Sequence, residues 1–190
     1  MTKTAFVLLL LLGACAAPQV PTDPIGFSPP PNADTELEDP LYSIHLFRHA
    51  EKQTGPDPAL TQNGLARAEF IAMRMSHADM DISAVWSSDY QRTRMTAQPL
   101  AERLGVEMKL YDPRDSHALI EKLKAAGVDS VVIGHSNTVP ELAALLCQCD
   151  VEPMDESQYE RGYVVAMGAG AQYLYEIDMR SIWTNRAAEH

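Results

Sequence analysis

Short apolar runs alternate with segments of helical period between residues 41 and 190. The apolar runs predict strands at residues 43–47, 84–87, 106–111 and 130–134, followed by a hairpin of strands 162–167 and 172–177. Between the runs, apolar residues recur at helical spacing and predict helices at residues 61–76, 89–104, 116–126 and from 139 onward. Strands that alternate with helices indicate parallel βαβ units. We therefore expect an α/β fold, a three-layer α/β/α sandwich with a mostly parallel sheet.

Several details of these elements are also predicted. Residues 130–134 form the most continuous apolar strand, so we place it in the middle of the sheet, and the final hairpin at its edge. Thr61 and Asp89 each precede a helix and are expected to cap it. Thr138 and Glu141 have the spacing of a capping box at the start of the fourth helix.

The first 40 residues have a different pattern. Lys3 is followed by an apolar run and small residues before Cys15, which predicts a signal peptide over residues 1–14. Leu12-Gly13-Ala14-Cys15 resembles the lipobox of bacterial lipoproteins, which implies that Cys15 carries a lipid; an ordinary cleaved signal peptide is the alternative. Residues 16–40 contain seven prolines and no apolar period, and we expect a disordered tether.

Composition limits the function further. Residues 41–190 are enough for one domain with a substantial core. The chain of 190 residues has a net charge of −11, which argues against a nucleic-acid partner. By the lipoprotein resemblance, Ala16 after the cysteine favours the outer membrane, with the domain in the cell envelope and facing the periplasm.

Three motifs place polar side chains where predicted strands end. Arg48 and His49 follow the first strand, Arg92 lies one turn into the helix after the second, and His135 follows residues 130–134. Taken singly, each could be a surface or structural residue. Because ligands bind at the carboxyl ends of parallel strands, the repeated order predicts one pocket built from all four.

The order and spelling of these motifs resemble the histidine phosphatase superfamily, which has the phosphoglycerate mutase-like fold. The resemblance implies that His49 is a nucleophile that becomes phosphorylated, and that Arg48, Arg92 and His135 bind the phosphoryl group. It implies no cofactor and no metal. Ala50 stands where many members have glycine.

Fixed cations around a phosphoryl group stabilise the charge that spreads over its oxygens during transfer. We therefore expect a metal-independent phosphomonoesterase that acts on a small phosphorylated substrate through a phosphohistidine. The alternatives are a phosphohistidine protein phosphatase, a mutase-like enzyme, and a non-catalytic lipoprotein that binds a phosphorylated ligand.

The leaving group also needs a residue that protonates it. Asp112, shortly after the third strand, is the proposed acid; Glu141 is a rival, although its capping role explains it. Cys147 and Cys149 could form a disulfide, but we favour two thiols at a helix end. Lys52 and Arg94 could add positive charge to the mouth of the pocket. The other histidines of this region are expected to be structural (His45) or exposed (His77, His117).

Overall fold

The computed structural model describes residues 41–77, 80–168 and 170–179. The predicted signal peptide, the lipidated Cys15 and the tether lie outside these residues. Six strands and four helices alternate as expected within the described part. In chain order they are β1 (Tyr42–Arg48), α1 (Gln62–Met75), β2 (Ala84–Ser88), α2 (Gln91–Leu104), β3 (Met108–Tyr111), α3 (Ser116–Ala126), β4 (Ser130–Gly134), α4 (Thr138–Cys147), β5 (Arg161–Met167) and β6 (Gln172–Asp178).

The strands form one sheet in the order β3-β2-β4-β1-β5-β6. The first four pair in parallel, and β5 and β6 are antiparallel. Every residue of β4 is buried between β2 and β1, and β6 lies at an edge. The central strand, the edge hairpin and the mostly parallel sheet are confirmed.

Two apolar cores lie on opposite faces of this sheet. One joins Leu46, Trp86 and Val132 to α3 and α4, and the other joins Val85 and Val131 to α1 and α2. Successive strand residues point to opposite faces, so β4 contributes to both cores. This arrangement confirms the three-layer α/β/α fold. None of the helices among the described residues is long and apolar enough to cross a membrane.

The helix starts agree with the sequence only in part. Thr61 caps α1 by accepting a hydrogen bond from the backbone N–H of Gly64 at 3.1 Å, as predicted. The Asp89 cap is wrong: Tyr90 occupies the N-cap of α2, and the Asp89 carboxylate pairs with Arg94. One residue of shift in the helix start moves the aspartate out of capping position.

The capping box at α4 is also wrong. Thr138 is the first residue inside α4, and Asn137 holds the N-cap position without a side-chain hydrogen bond. The Thr138 hydroxyl accepts instead from the backbone N–H of His135 at 2.9 Å. The hydroxyl therefore fixes the turn that carries His135.

Cys147 and Cys149 form a disulfide, so the expectation of two thiols is wrong. Gln148, between them, has φ +56° and ends α4 in the left-handed conformation. That turn brings the two cysteine Cα atoms to 5.2 Å, within the usual range for a disulfide. A glutamine rarely adopts this conformation, so nothing in the sequence predicted the turn.

Candidate active site

Neighbouring strand ends meet at one edge of the sheet. Arg48, the last residue of β1, is in register with Gly134, the last residue of β4, and the His49 N–H donates to the Gly134 carbonyl at 2.9 Å. An open cavity of about 250 Å³ lies at this edge. The structure brings together the four residues that the motifs predicted, together with eight others; the lining consists of Arg48, His49, Lys52, Tyr90, Arg92, Pro113, Arg114, His135, Ser136, Asn137, Thr138 and Glu156.

His49 is held in a form suited to nucleophilic attack. Its side chain is buried, and Nδ1 lies 2.8 Å from the Ala50 carbonyl oxygen. A carbonyl only accepts, so Nδ1 carries the proton and Nε2 keeps its lone pair. Burial, followed by the positive charges of Arg48 and Arg92, lowers the pKa of His49 to about 3, although the bond to Ala50 opposes this effect. The imidazole is therefore neutral at physiological pH.

His135 is oriented by a chain of hydrogen bonds. Its Nδ1 lies 3.3 Å from an Arg92 guanidinium nitrogen, which can only donate, so Nδ1 is the acceptor. Nε2 then donates to the Ser88 hydroxyl at 2.8 Å, and Ser88 donates to the Thr93 hydroxyl at 3.0 Å. Burial and the charge of Arg92 lower the pKa of His135 to about 4. The rings of His49 and His135 are edge-on, 5.5 Å apart.

The two arginines are positioned by contacts with aromatic rings. The Arg48 guanidinium lies 4.2 Å from the centre of the Tyr159 ring, and that of Arg92 lies 4.5 Å from the centre of the Tyr90 ring. Arg92 also lies 3.7 Å from the Asp57 carboxylate. The Nε atoms of both arginines are buried and have no hydrogen-bond partner among the described residues. Two cations with spare donors on one cavity make an anion site.

A segment that the sequence did not single out closes one side of the cavity. Arg48 donates to the backbone carbonyls of Asp155, at 3.2 Å, and Glu156. Glu156 is the one acidic residue that lines the cavity among the described residues. No apolar period or motif marks residues 150–160, so the sequence offers no signal for their contact with Arg48.

Asp112 is not brought to this cavity. Its carboxylate makes two hydrogen bonds to the exposed Arg114 guanidinium, at 3.0 and 2.9 Å. These bonds hold the pKa of Asp112 down, at about 2, which is the opposite of what a general acid needs. Glu141 is exposed and does not line this cavity either.

The remaining predicted side chains divide between the cavity and other surroundings. Lys52 lines the cavity, whereas Arg94 is paired with Asp89 outside it. His45 is buried in β1 with Nε2 3.0 Å from the Ser43 hydroxyl, as a structural residue would be. His77 and His117 are exposed, as expected.

Part of the chain matches a known family. Residues 44–113 match the histidine phosphatase superfamily (branch 1). The probable phosphoglycerate mutase GpmB of Serratia proteamaculans (strain 568) is 34% identical over 99 residues, which cover 48% of this chain and 45% of that protein. The chain thus spans less than half the length of this relative.

Solved structures share the fold at low sequence identity. The protein histidine phosphatase SixA complexed with tungstate has a TM-score of 0.62 at 19% identity, covering 74% of this chain and 99% of its own. The mycobacterial glucosyl-3-phosphoglycerate phosphatase Rv2419c has a TM-score of 0.60 at 15% identity, covering 72% and 98%. A putative α-ribazole-5′-P phosphatase from Escherichia coli K-12 MG1655 has a TM-score of 0.59 at 14% identity, covering 72% and 96%.

Residues 44–113 are thus similar to the histidine phosphatase superfamily, and the chain shares the α/β/α fold of these solved phosphatases. The matched segment includes Arg48, His49 and Arg92. His135 lies beyond the match and joins them through the pairing of β1 with β4.

Proposed function

We propose that the chain is a metal-independent phosphomonoesterase that works through a phosphohistidine on His49. The observation that carries this proposal is the neutral His49 ring, whose Nδ1 donates to Ala50 and whose Nε2 is free to attack. Arg48 and Arg92 line the same cavity and supply the donors that a phosphoryl group requires, and His135 beside them adds a donor once it is protonated.

In the first step, Nε2 of His49 attacks phosphorus while the bond from phosphorus to the ester oxygen breaks. The electron pair of that bond leaves with the oxygen, which takes up a proton as the alcohol departs. Water then attacks the phosphohistidine, gives up a proton and releases phosphate, and Nε2 regains its lone pair. The two guanidiniums stabilise the charge on the equatorial oxygens in both steps.

We assign the proton transfer to Glu156. It is the acidic residue of the cavity lining, and its backbone carbonyl is tied to the phosphate-binding Arg48. A protonated carboxyl there gives its proton to the leaving oxygen, and the carboxylate then accepts one from the attacking water.

A hydrolase fits the site better than a mutase. Only residues 112–115 separate β3 from α3, so no long segment covers the cavity from this side. An open cavity admits the water that hydrolyses phosphohistidine. The fold likeness to SixA supports a second candidate, a phosphatase that acts on phosphohistidine in proteins.

The sequence of residues 1–40 supports a location for this activity. The apolar run before Cys15 and the proline-rich residues 16–40 fit a lipid-anchored domain in the cell envelope, on the outer membrane and facing the periplasm. Its partners would be the membrane, through the lipid on Cys15, and a small phosphorylated substrate. With a net charge of −11, nucleic acid is not expected to bind.

The test is hydrolysis of p-nitrophenyl phosphate, a panel of phosphomonoesters and a phosphohistidine protein by the purified chain in detergent with EDTA. We expect turnover that survives EDTA, a phosphoenzyme that is labile to acid, and loss of both in His49→Asn. His117→Asn, at an exposed histidine outside the cavity, is the control and keeps full activity. Turnover retained in His49→Asn contradicts the proposal, and faster turnover of the phosphohistidine protein favours the second candidate.

A further inference from the structure

A second, larger cavity adjoins the first. It has a volume of about 510 Å³ and shares Tyr90, Pro113 and Arg114 with the phosphate-binding cavity. Its full lining is Asp89, Tyr90, Leu110, Tyr111, Asp112, Pro113, Arg114 and Lys122. A substrate whose phosphoryl group lies between Arg48 and Arg92 can extend past Tyr90 into this space.

The walls of the second cavity include two exposed apolar side chains. Leu110 is 47% exposed and Tyr90 is 38% exposed, and they belong to the five large hydrophobic residues that are exposed in the described part of the chain. A single exposed leucine is ordinary on a protein surface. Two such residues in one concave site beside a catalytic cavity are typical of a ligand-binding wall.

Local structure explains the position of both residues. In the edge strand β3, Tyr111 points into the core, so its neighbour Leu110 points outward. Tyr90, before α2, lies edge-on to the His135 ring at 5.1 Å and against the Arg92 guanidinium. Tyr90 therefore touches the phosphate-binding residues on one side and the second cavity on the other.

Most charges around the second cavity are paired with each other. Asp112 is paired with Arg114, and Asp89 with Arg94. Asp112 already accepts three hydrogen bonds from Arg114, so it has little acceptor capacity left for the hydroxyls of a sugar. Lys122 is the remaining charged residue of the lining.

We propose that this cavity binds the leaving group, and that the substrates are phosphomonoesters of an apolar alcohol, aryl or long alkyl, and not of a small polar sugar. The inference rests on the proposed function and adds the substrate class. Burial of Leu110 and of the Tyr90 ring by the alcohol supplies the selectivity.

The test compares kcat/KM within two pairs of esters: phenyl with 2-naphthyl phosphate, and ethyl with hexyl phosphate. The two alcohols of a pair have similar acidity, so the chemical step is matched and the apolar size differs. We expect the larger ester to react about 10-fold better in each pair. In Leu110→Gln the advantage falls to about 2-fold, because the polar side chain no longer favours burial of the apolar group.

Leu65→Gln, at an exposed leucine on α1, is the matched control and keeps the full advantage. Inhibition by inorganic phosphate stays unchanged in Leu110→Gln, because Leu110 does not line the first cavity. Leu110→Thr, which suits an edge strand, gives the same comparison if Leu110→Gln fails to fold.

The outcomes separate the two proposals. If the wild-type chain hydrolyses none of the four esters, the proposed function is overturned, and this inference with it. If all four react without preference for the larger ester, or if the preference survives both Leu110 substitutions, the inference alone is overturned.

Discussion

Two imidazole rings lie 5.5 Å apart in the cavity, and their hydrogen-bond partners give them different roles. The Ala50 carbonyl fixes the proton of His49 on Nδ1 and leaves the lone pair on Nε2 for the proposed attack on phosphorus. The Ser88 hydroxyl accepts a hydrogen bond from Nε2 of His135, and Nδ1 of that ring accepts one from Arg92. Since a neutral Nδ1 cannot donate to phosphate, His135 has to take up a proton when an anion displaces Arg92 from it.

The assignment of Glu156 predicts a dependence on the leaving group. In Glu156→Gln, kcat/KM for phenyl phosphate should fall about 100-fold, because loss of a general acid costs on the order of 10²–10⁴. For p-nitrophenyl phosphate, whose leaving group needs no proton, the loss should stay within about 3-fold. Steady-state kinetics on both esters measures the difference.

Two controls accompany Glu156→Gln. Glu152→Gln changes an exposed glutamate in the same segment, and Asp112→Asn removes the acid that the sequence suggested. Neither substitution should alter the ratio of kcat/KM for p-nitrophenyl phosphate to kcat/KM for phenyl phosphate. If Asp112→Asn changes this ratio and Glu156→Gln does not, Asp112 is the acid and the assignment of Glu156 is wrong.

Buried histidines predict how stability depends on pH. Burial lowers the pKa of His45 to about 4, against an opposing effect of Asp129. Between about pH 6.5 and about pH 4 the unfolded chain therefore binds protons that the folded chain does not, and the free energy of unfolding falls as the pH falls. His49 and His135, with pKa values of about 3 and about 4, act in the same direction.

Between pH 7 and pH 4 the free energy of unfolding should fall by about 1–3 kcal/mol less in His45→Gln than in the wild type, because residue 45 no longer titrates. Urea denaturation across this range measures it. His117→Gln, at an exposed histidine, is the control for the replacement of a histidine by glutamine. An unchanged slope in His45→Gln would mean that His45 titrates normally in the folded state.

At the scale of elements, the site is assembled from strand ends, the first turn of a helix and a loop. β1 and β4 place His49 and His135 through a shared ladder of parallel pairs inside the sheet. The segment that carries Glu156 follows the disulfide at the end of α4 and reaches the cavity through Arg48. The binding groups therefore lie at strand ends and, for Arg92, in the first turn of α2, and the assigned acid lies on a loop.

Helix α1 is packed against the segment that follows His49. A Cβ added at Gly64 would lie 2.1 Å from the Glu51 carbonyl oxygen, which also accepts the Thr61 N–H. The Glu51 carboxylate is paired with Arg67 of the same helix. The first turn of α1 thus holds the chain just after His49.

Gly64→Ala should lower the free energy of unfolding by about 1–3 kcal/mol, because backbone must move to relieve the contact. Loss of kcat should accompany it as the shift passes through Glu51 towards His49. Thermal denaturation and p-nitrophenyl phosphate turnover measure the two effects. Gly170→Ala, where an added Cβ meets nothing within 4 Å, should change stability by less than about 0.5 kcal/mol; an equally stable Gly64→Ala would refute the tight packing.

At the scale of the whole molecule, the proposed anchor predicts where the protein is found. In a Gram-negative host, the chain should partition into the detergent phase and take up labelled fatty acid, because Cys15 receives the lipid. Cys15→Ser should remove both properties and leave phosphatase activity unchanged, since the site is formed by residues 48–156. Labelling that persists in Cys15→Ser would place the lipid elsewhere or refute the anchor.

The sequence by itself determined the order of the strands and helices, the central β4 and the residues at three strand ends. These features follow from local periodicity, which repeats every two residues in a strand and about every 3.6 in a helix. The rule that parallel strands share an edge then predicts that Arg48, His49, Arg92 and His135 lie together.

Only the tertiary structure decided the surroundings of these four residues. In the folded chain Asp112 is paired with Arg114, and Cys147 and Cys149 form a disulfide. The Glu156 carbonyl accepts a hydrogen bond from Arg48. The contact of Arg48 with the Asp155 carbonyl spans 107 residues along the chain. No local period encodes such a contact, because its energy comes from the packing of a loop against a finished sheet edge, and that edge exists only in the folded molecule.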